Sequence, residues 1–240
     1  MKTQILGVGL DDLTLQEATD RALVLMKERR GAYVCTPNPE MLWLSHKDAE
    51  LRAALQGADM LLPDGVGDLL AARILGSPLT ERVSGYDFAE ELLSRLNGTV
   101  YLLGAKSGVA ERAARRITEK WPSVCVVGMA DGYYSDEQAV IEAIKRAKPD
   151  FLMVCFGMGR QECFMAKLSG MPEIGLMAGL GGTLDVLAGD VKRAPDFFIR
   201  NNIEWLYRFL RQPYRIKRLL RIPLFLAAVV KQKISARKKT

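Results

Sequence analysis

The sequence predicts an α/β fold in which a mostly parallel sheet is covered by helices on both faces. Three observations predict it. Short, almost wholly apolar runs such as 100–103, 151–156 and 174–177 suit strands buried on both sides. Segments of helical period separate these runs, the alternation that builds parallel sheets. Several runs then end in turn-forming residues: Thr36-Pro37-Asn38-Pro39, Pro63-Asp64-Gly65, Gly104 to Gly108, Gly157 to Gly159 and Gly179 to Gly182.

Taken in order, 6–9 reads as a short strand or its end. Thr14 with Glu17 three residues on forms a capping box, so a helix is expected to about Glu28. Residues 32–35 and 59–62 are strands, with helices at 39–45 and 48–55 between them. Helices are expected at 66–75 and 86–96, around the turn-rich Gly76-Ser77-Pro78. Regular alternation follows: strand 100–103, helix 109–121, strand 124–127, helix 136–147, strand 151–156, helix 161–168, strand 174–177 and helix 183–187. A helix bearing Trp205 is expected over 195–210, and the composition shifts beyond Pro213. The chain divides into a domain of residues 1–195 and a C-terminal appendage of residues 196–240. No internal repeat or low-complexity segment interrupts either part.

Composition narrows the function. A hydrophobic content of 49% is ample for a packed core. Asp11 and Asp12 break the first apolar run, against a secretory signal, and no run approaches the eighteen or so apolar residues of a membrane span. The four cysteines lack CxxC spacing, which suits reduced thiols in a cytoplasmic protein better than a disulfide framework or zinc site. A single histidine, His46 on a polar helix face, argues against His-rich metal sites and Ser-His-Asp chemistry.

Charge is unevenly placed. Eleven lysines and arginines and no acid follow Glu204, against a formal total of +6, so the body is acidic and the tail basic. The apolar Ile216, Leu219, Leu220 and Pro223 recur at helical spacing, with Arg211, Arg215 and Arg218 on another face and the aliphatic block 224–230 beyond. That is the pattern of a helix lying on an anionic membrane surface. A packed terminal helix and a nucleic-acid arm are the competing readings; so aliphatic a block without interleaved aromatics disfavours nucleic acid as a partner.

The stretch 34–67 is the centre of the functional reading. In an open α/β sheet the residues just past the carboxyl ends of strands line the ligand crevice. Two such ends, a βαβ unit apart, bring Thr36, Asn38 and Asp64 to one cleft. A carboxylate flanked by glycine is open to a substrate, which makes Asp64 the candidate general base. The Gly104 turn opens a helix and its amides could cradle a phosphate, although such a strand–glycine–helix corner is common in any α/β fold and the structural reading comes first; the Gly157 turn suits pyrophosphate or sugar hydroxyls. Gln161 adds an amide for sugar hydroxyls. Gly132 and Tyr133 lie at another strand end, where an exposed ring can stack on a base or, equally, pack on its neighbours in a turn. In Gly181-Gly182-Thr183-Leu184-Asp185 the carboxylate is placed for ribose hydroxyls, or merely complements a helix N-terminus. No D-x-D occurs, so diphosphate charge falls to amides, helix ends and arginines such as Arg82 and Arg193. A nicotinamide-dependent oxidoreductase would need GxGxxG, which is missing. A non-catalytic nucleotide- or nucleic-acid-binding protein with a polyanion-gripping tail is the main rival.

These residues resemble the WecG/TagA/CpsF glycosyltransferases. The likeness runs from Thr36 to about Arg215 through TPNPEML (36–42), LLPDGVG (61–67), ERVSGYDF (81–88), YLLGAKSGVAERAA (101–114), GRQE (159–162), GLGGTLDVLAG (179–189), KRAPDFF (192–198) and EWLYRFLRQPYR (204–215). Arg160 stands where the family usually has a lysine or similar residue. The resemblance implies a Rossmann-like fold of the GT-E type and transfer of a sugar from a UDP-sugar to a lipid-linked sugar acceptor; with D-x-D missing, the transfer reads as inverting and metal-independent, with no other cofactor. For the TagA branch the donor is UDP-N-acetylmannosamine. The acceptor is N-acetylglucosaminyl-diphospho-undecaprenol, used in wall teichoic acid synthesis. It further implies Asp64 as base, with Thr36, Asn38, Arg82 and Gln161 around the reacting sugars, and Tyr133 and Asp185 on uracil and ribose. The basic appendage would dock on the inner face of the cell membrane, with Arg208, Arg211, Arg215 and Arg218 closing over the diphosphate. A homo-oligomer is left open.

Overall fold

A computed structural model of the chain describes residues 1–200, Glu204, Leu206, Tyr207 and 221–237. An antiparallel hairpin of β1 (Lys2–Ile5) and β2 (Val8–Asp11) comes first. There follow α1 (Leu15–Glu28), β3 (Ala32–Cys35), α2 (Pro39–Ser45), α3 (Ala49–Gln56), β4 (Met60–Leu61), α4 (Val66–Leu75) and α5 (Gly85–Arg95). The rest is β5 (Gly98–Gly104), α6 (Val109–Lys120), β6 (Val124–Ala130), α7 (Glu137–Ala147), β7 (Phe151–Cys155), α8 (Arg160–Leu168), β8 (Leu176–Gly179), α9 (Thr183–Leu187), α10 (Asp196–Arg200) and α11 (Arg221–Arg237).

The six strands after the hairpin form one wholly parallel sheet in the order β4-β3-β8-β7-β5-β6. Strand residues alternate between its faces. Val34, Val100, Leu102, Met153 and Ala178 join a core with α1, α5, α6 and α9. Tyr33, Leu61, Tyr101, Leu103, Leu152, Val154 and Met177 join a second core with α2, α3, α4, α7 and α8, beside the hairpin. The expected α/β architecture with helices on both faces is thus present.

Local chemistry sets the element ends. Thr14 and Glu17 form the expected capping box of α1. Asn38 caps α2, whose first residue is Pro39, where a missing N–H costs nothing. Where the sequence predicts only one short strand there is a hairpin; its turn uses Leu6 at φ 49° and Gly7 at φ 87°. In β6, Gly128 leaves room for the Tyr101 ring beside a register shift, and the strand runs to Ala130 rather than Val127.

The C-terminal helix departs from the expected membrane pattern in part. Phe225 and Val229 of α11 are wholly buried in the second core against α2 and α4. The Gln232 side chain accepts from Leu6 N–H (2.8 Å) and donates to Gln4 C=O (2.8 Å), and Arg221 pairs with Glu40 (2.6 Å). Leu224, Val230 and Ile234 remain exposed. The aliphatic block is therefore split: one stripe is core and the other faces out. Among the described residues no helix is long and apolar enough to cross a membrane. Ile216, Leu219 and Leu220 lie outside them.

Candidate active site

Asp64 sits just past β4, at one edge of the sheet's carboxyl-end rim. Its backbone is fixed from both sides: Leu62 N–H donates to Cys35 C=O (2.9 Å), Asp64 N–H to Pro37 C=O (3.0 Å), and Val83 N–H to Pro63 C=O (2.9 Å). Gly65 and Gly67 lie against Pro39 so closely that a Cβ at either would overlap its ring. The Asp64 carboxylate is about a third exposed, and the Arg82 guanidinium lies 3.8 Å from it. On its other side Arg82 is 3.7 Å from the buried carboxylate of Glu204, and its Nε is buried without a hydrogen-bond partner among the described residues. One half-open carboxylate, one buried cation and a second buried carboxylate thus stand in a row. Behind them Asp68, without solvent exposure, accepts from Gly65 N–H (2.9 Å) through Oδ2, while its Oδ1 has no partner among the described residues. Burial, and then the nearby Asp64 charge, push the Asp68 carboxyl well above the usual range; the Gly65 bond opposes them.

The middle of the rim is knitted by side chains. Thr36 is buried and its hydroxyl donates to Gly179 C=O (3.1 Å), linking the ends of β3 and β8. Asn38 commits its side-chain oxygen to Met41 N–H (3.0 Å), which leaves its NH2 as the group to meet a ligand. Gln161 differs from the expectation of an amide open to sugar hydroxyls. Only 3% exposed, it accepts from both Gly157 N–H (3.3 Å) and Gly181 N–H (3.1 Å), and its NH2 donates to Glu162 (2.8 Å). Those two glycine amides are turned inward, so Gly157 and Gly181 offer a ligand their shape rather than their N–H groups.

At the far edge, Gly104 at φ 132° packs on the Cys155 carbonyl, and Gly132 N–H donates to Ala105 C=O (2.9 Å). Tyr133 beside it is 74% exposed. Arg160 holds this turn: it donates to Gly132 C=O (2.6 Å) and lies over the rings of Phe156 and Tyr134, 4.5 and 5.0 Å from their centroids. Gly182 precedes α9, whose Asp185 is half-buried; burial and Asp190 raise its carboxyl, and Lys106 partly offsets them. Five strand spacings of about 4.8 Å separate β4 from β6, so Asp64 and Tyr133 bracket a rim of roughly 24 Å.

The family model described as "Glycosyl transferase WecG/TagA/CpsF family" matches residues 3–239. The chain belongs to this family. Relatives named N-acetylglucosaminyldiphosphoundecaprenol N-acetyl-beta-D-mannosaminyltransferase are similar over most of their length. That of Bacillus spizizenii is 35% identical over 216 residues, covering 89% of this chain and 84% of the relative. That of Bacillus subtilis is 36% identical over 208 residues (85% and 81%), and that of Staphylococcus aureus 31% over 242 residues (99% and 95%). At the level of the WecG/TagA/CpsF family, then, this is a glycosyltransferase.

Not every residue expected at the site of this WecG/TagA/CpsF member lies open to a ligand, and Arg193 is expected there only because the sequence lacks D-x-D. Arg193, expected at phosphate, pairs with Asp87 and Glu90 of α5 and lies 4.5 Å over the Tyr86 ring, because the α5 carboxylates face it. Arg208, Arg211, Arg215 and Arg218 lie outside the described residues. Conversely, sequence reasoning does not single out Glu204, Asp68, Arg160 or Glu162 as site residues. Spacing carries no mark of the pairings of the first two, whereas the GRQE string contains Arg160 and Glu162.

Proposed function

We propose that this chain transfers N-acetylmannosamine from its UDP-sugar to the N-acetylglucosamine of a polyprenyl-diphosphate-linked acceptor, in teichoic acid or surface polysaccharide synthesis. The observation that carries the reading is the Asp64 carboxylate, backbone-stapled beside Arg82 on the rim of a chain whose relatives bear that activity's name. Asp64 takes the proton from the acceptor hydroxyl as its oxygen attacks the anomeric carbon, and UDP departs on the opposite side with inversion. One base is enough because the diphosphate is already an activated leaving group. Arg82 supplies positive charge near the reacting centre, and the tail arginines would add it at the diphosphate. Uracil rests on the exposed Tyr133 and ribose on Asp185. No metal is required in this scheme.

The enzyme would work as a peripheral protein on the inner membrane face. Supporting this are the basic tail and the exposed Leu224, Val230 and Ile234 beside Lys231. Residues 196–240 then act as an appendage that also completes the site through Glu204.

The test is UDP release from UDP-N-acetylmannosamine with a lipid-diphosphate N-acetylglucosamine analogue, with and without EDTA. Asp64→Asn should lose about 10²–10⁴ in kcat, the usual worth of a general base, while UDP still binds. Turnover near wild type in that variant removes Asp64 from the role, and dependence on the chelator removes the metal-free scheme. Deleting 211–240 would also strip Phe225 and Val229 from the core. Serine at Leu224, Val230 and Ile234 is the cleaner probe of docking, read by flotation with anionic liposomes. Undiminished co-flotation of the serine variant counts against this face as the docking surface, and a wild type that does not co-float counts against the membrane reading.

A further inference from the structure

Glu162 is wholly buried at the start of α8, and both its oxygens are engaged: Oε2 accepts from Gly159 N–H (2.6 Å) and Oε1 from the NH2 of Gln161 (2.8 Å). Beyond Gln161 the same chain of bonds reaches Gly157 and Gly181, at the ends of β7 and β8. Gly179, whose missing Cβ would lie 2.9 Å from Gln161 Nε2, leaves that amide its room, and Thr36 extends the linkage to β3.

This chain of bonds has one workable polarity. An ionised carboxylate only accepts, so the NH2 of Gln161 must face Glu162, and its oxygen must face the two glycine N–H groups. With the amide reversed, two N–H donors would confront an NH2 and the carboxylate would face a carbonyl oxygen. Each buried group left unsatisfied in that way is costly. The two glycine N–H groups on one side and the Glu162 carboxylate on the other thus select the same orientation.

We propose that Glu162 is a positioning residue: its carboxylate anchors the Gln161 amide in the orientation that the two glycine N–H groups require and thereby sets the spacing of the two glycine turns that form the donor's diphosphate seat. This rests on the UDP-sugar reading for the identity of the ligand, although not for the bond chain itself.

The discriminating experiment is a reciprocal exchange in the full-length chain. Glu162→Gln puts an amide where two donors need acceptors, and Gln161→Glu sets two carboxylates against each other. The double variant Q161E/E162Q satisfies every partner again. In it the carboxylate at position 161 accepts from Gly157, Gly181 and the NH2 of the amide at position 162, whose oxygen accepts from Gly159. Two readouts are taken: hydrogen exchange of the peptides spanning 156–160 and 179–183, and calorimetric titration with UDP. Each single variant should speed exchange in both turns and weaken UDP about tenfold, the worth of one hydrogen bond; the double variant should recover both.

Wild-type exchange and UDP affinity in E162Q overturn the proposal. So does a double variant no better than the singles, whether in binding or in folding. If the singles fail to fold and the double variant folds with wild-type exchange, the proposal stands. Wild-type protein that does not bind UDP sinks the donor reading instead, and the exchange data still decide the role of Glu162.

Discussion

The two ends of the parallel sheet hold their shape by opposite means. At the amino-end rim, carboxylates accept strand amides and arginines close over them. Asp150 accepts from Thr99 N–H and Oγ (both 2.8 Å) and from Arg29 (2.8 Å). Asp59 accepts from Tyr33 N–H (2.9 Å) and from Arg30 (2.6 Å). Burial alone would raise the Asp150 carboxyl, but the Thr99 bonds and the Arg29 charge outweigh it and hold it below its usual value. At the carboxyl-end rim the backbone itself bends, through glycines at positive φ, and the acids Asp68, Glu162 and Asp185 are all pushed up, burial being the leading cause of each. One rim is closed by paired charge. The other keeps under-compensated acids and tight turns, the pattern expected where binding takes precedence over stability.

That contrast is broken most severely by adding a methyl to one rim. Gly104 needs φ 132°, and a Cβ there would overlap the Cys155 carbonyl. Gly104→Ala should therefore lose about 3 kcal/mol or more, strain and overpacking together, read as a lowered urea midpoint at constant slope. A midpoint at the wild-type value would mean that this turn does not depend on glycine. At the other rim the matching experiment removes a carboxylate. Asp150→Ala should cost about 1–3 kcal/mol, because Thr99 and Arg29 lose their acceptor. With a depressed native value, the Asp150 contribution is present above the ordinary carboxylate range and fades as pH falls through that value, so the loss should shrink in acid.

Much of this could be read from residues. The limits of α1, α2 and α4 follow from a capping box, an Asn-Pro start and glycine stops, all local signals. The Pro63-Asp64-Gly65 turn announces itself in the same way. The β1–β2 hairpin does not, because Leu6 takes a left-handed conformation that no turn-forming residue advertises. Nor does the split in α11, since an aliphatic block has no inherent direction and only packing selects Phe225 and Val229 for the core. Within the site, spacing brings Gln161 to the rim but leaves its direction open, into a cleft or into the protein. The link from Glu204 to Arg82, more than a hundred residues away in sequence, leaves no local trace.

A smaller effect sharpens the comparison where Glu204 meets the rim. Glu204 balances Arg82 opposite Asp64. Glu204→Gln should leave the guanidinium less firmly held and lower kcat about tenfold, below the roughly hundredfold that an ångström of misplacement near the chemistry can cost. UDP affinity should change less. Unaltered turnover with a normal fold would make the contact a packing feature alone.

The smallest effect tests the sign of the contrast. Burial and the Asp64 charge favour the neutral form of Asp68, so the folded protein holds that proton to higher pH than the unfolded chain does. Between the ordinary carboxylate range and that raised value the native state binds more protons than the unfolded one. Stability therefore falls as pH rises across the window. An asparagine side chain at position 68 retains an acceptor for Gly65 N–H and does not ionise. Asp68→Asn should thus gain in melting temperature relative to wild type as pH rises from the ordinary carboxylate range toward that raised value, the reverse of the trend for Asp150→Ala. If the offset between Asp68→Asn and wild type is constant over that range, Asp68 is ionised in the folded protein, and the two rims do not differ in the way their acids suggest.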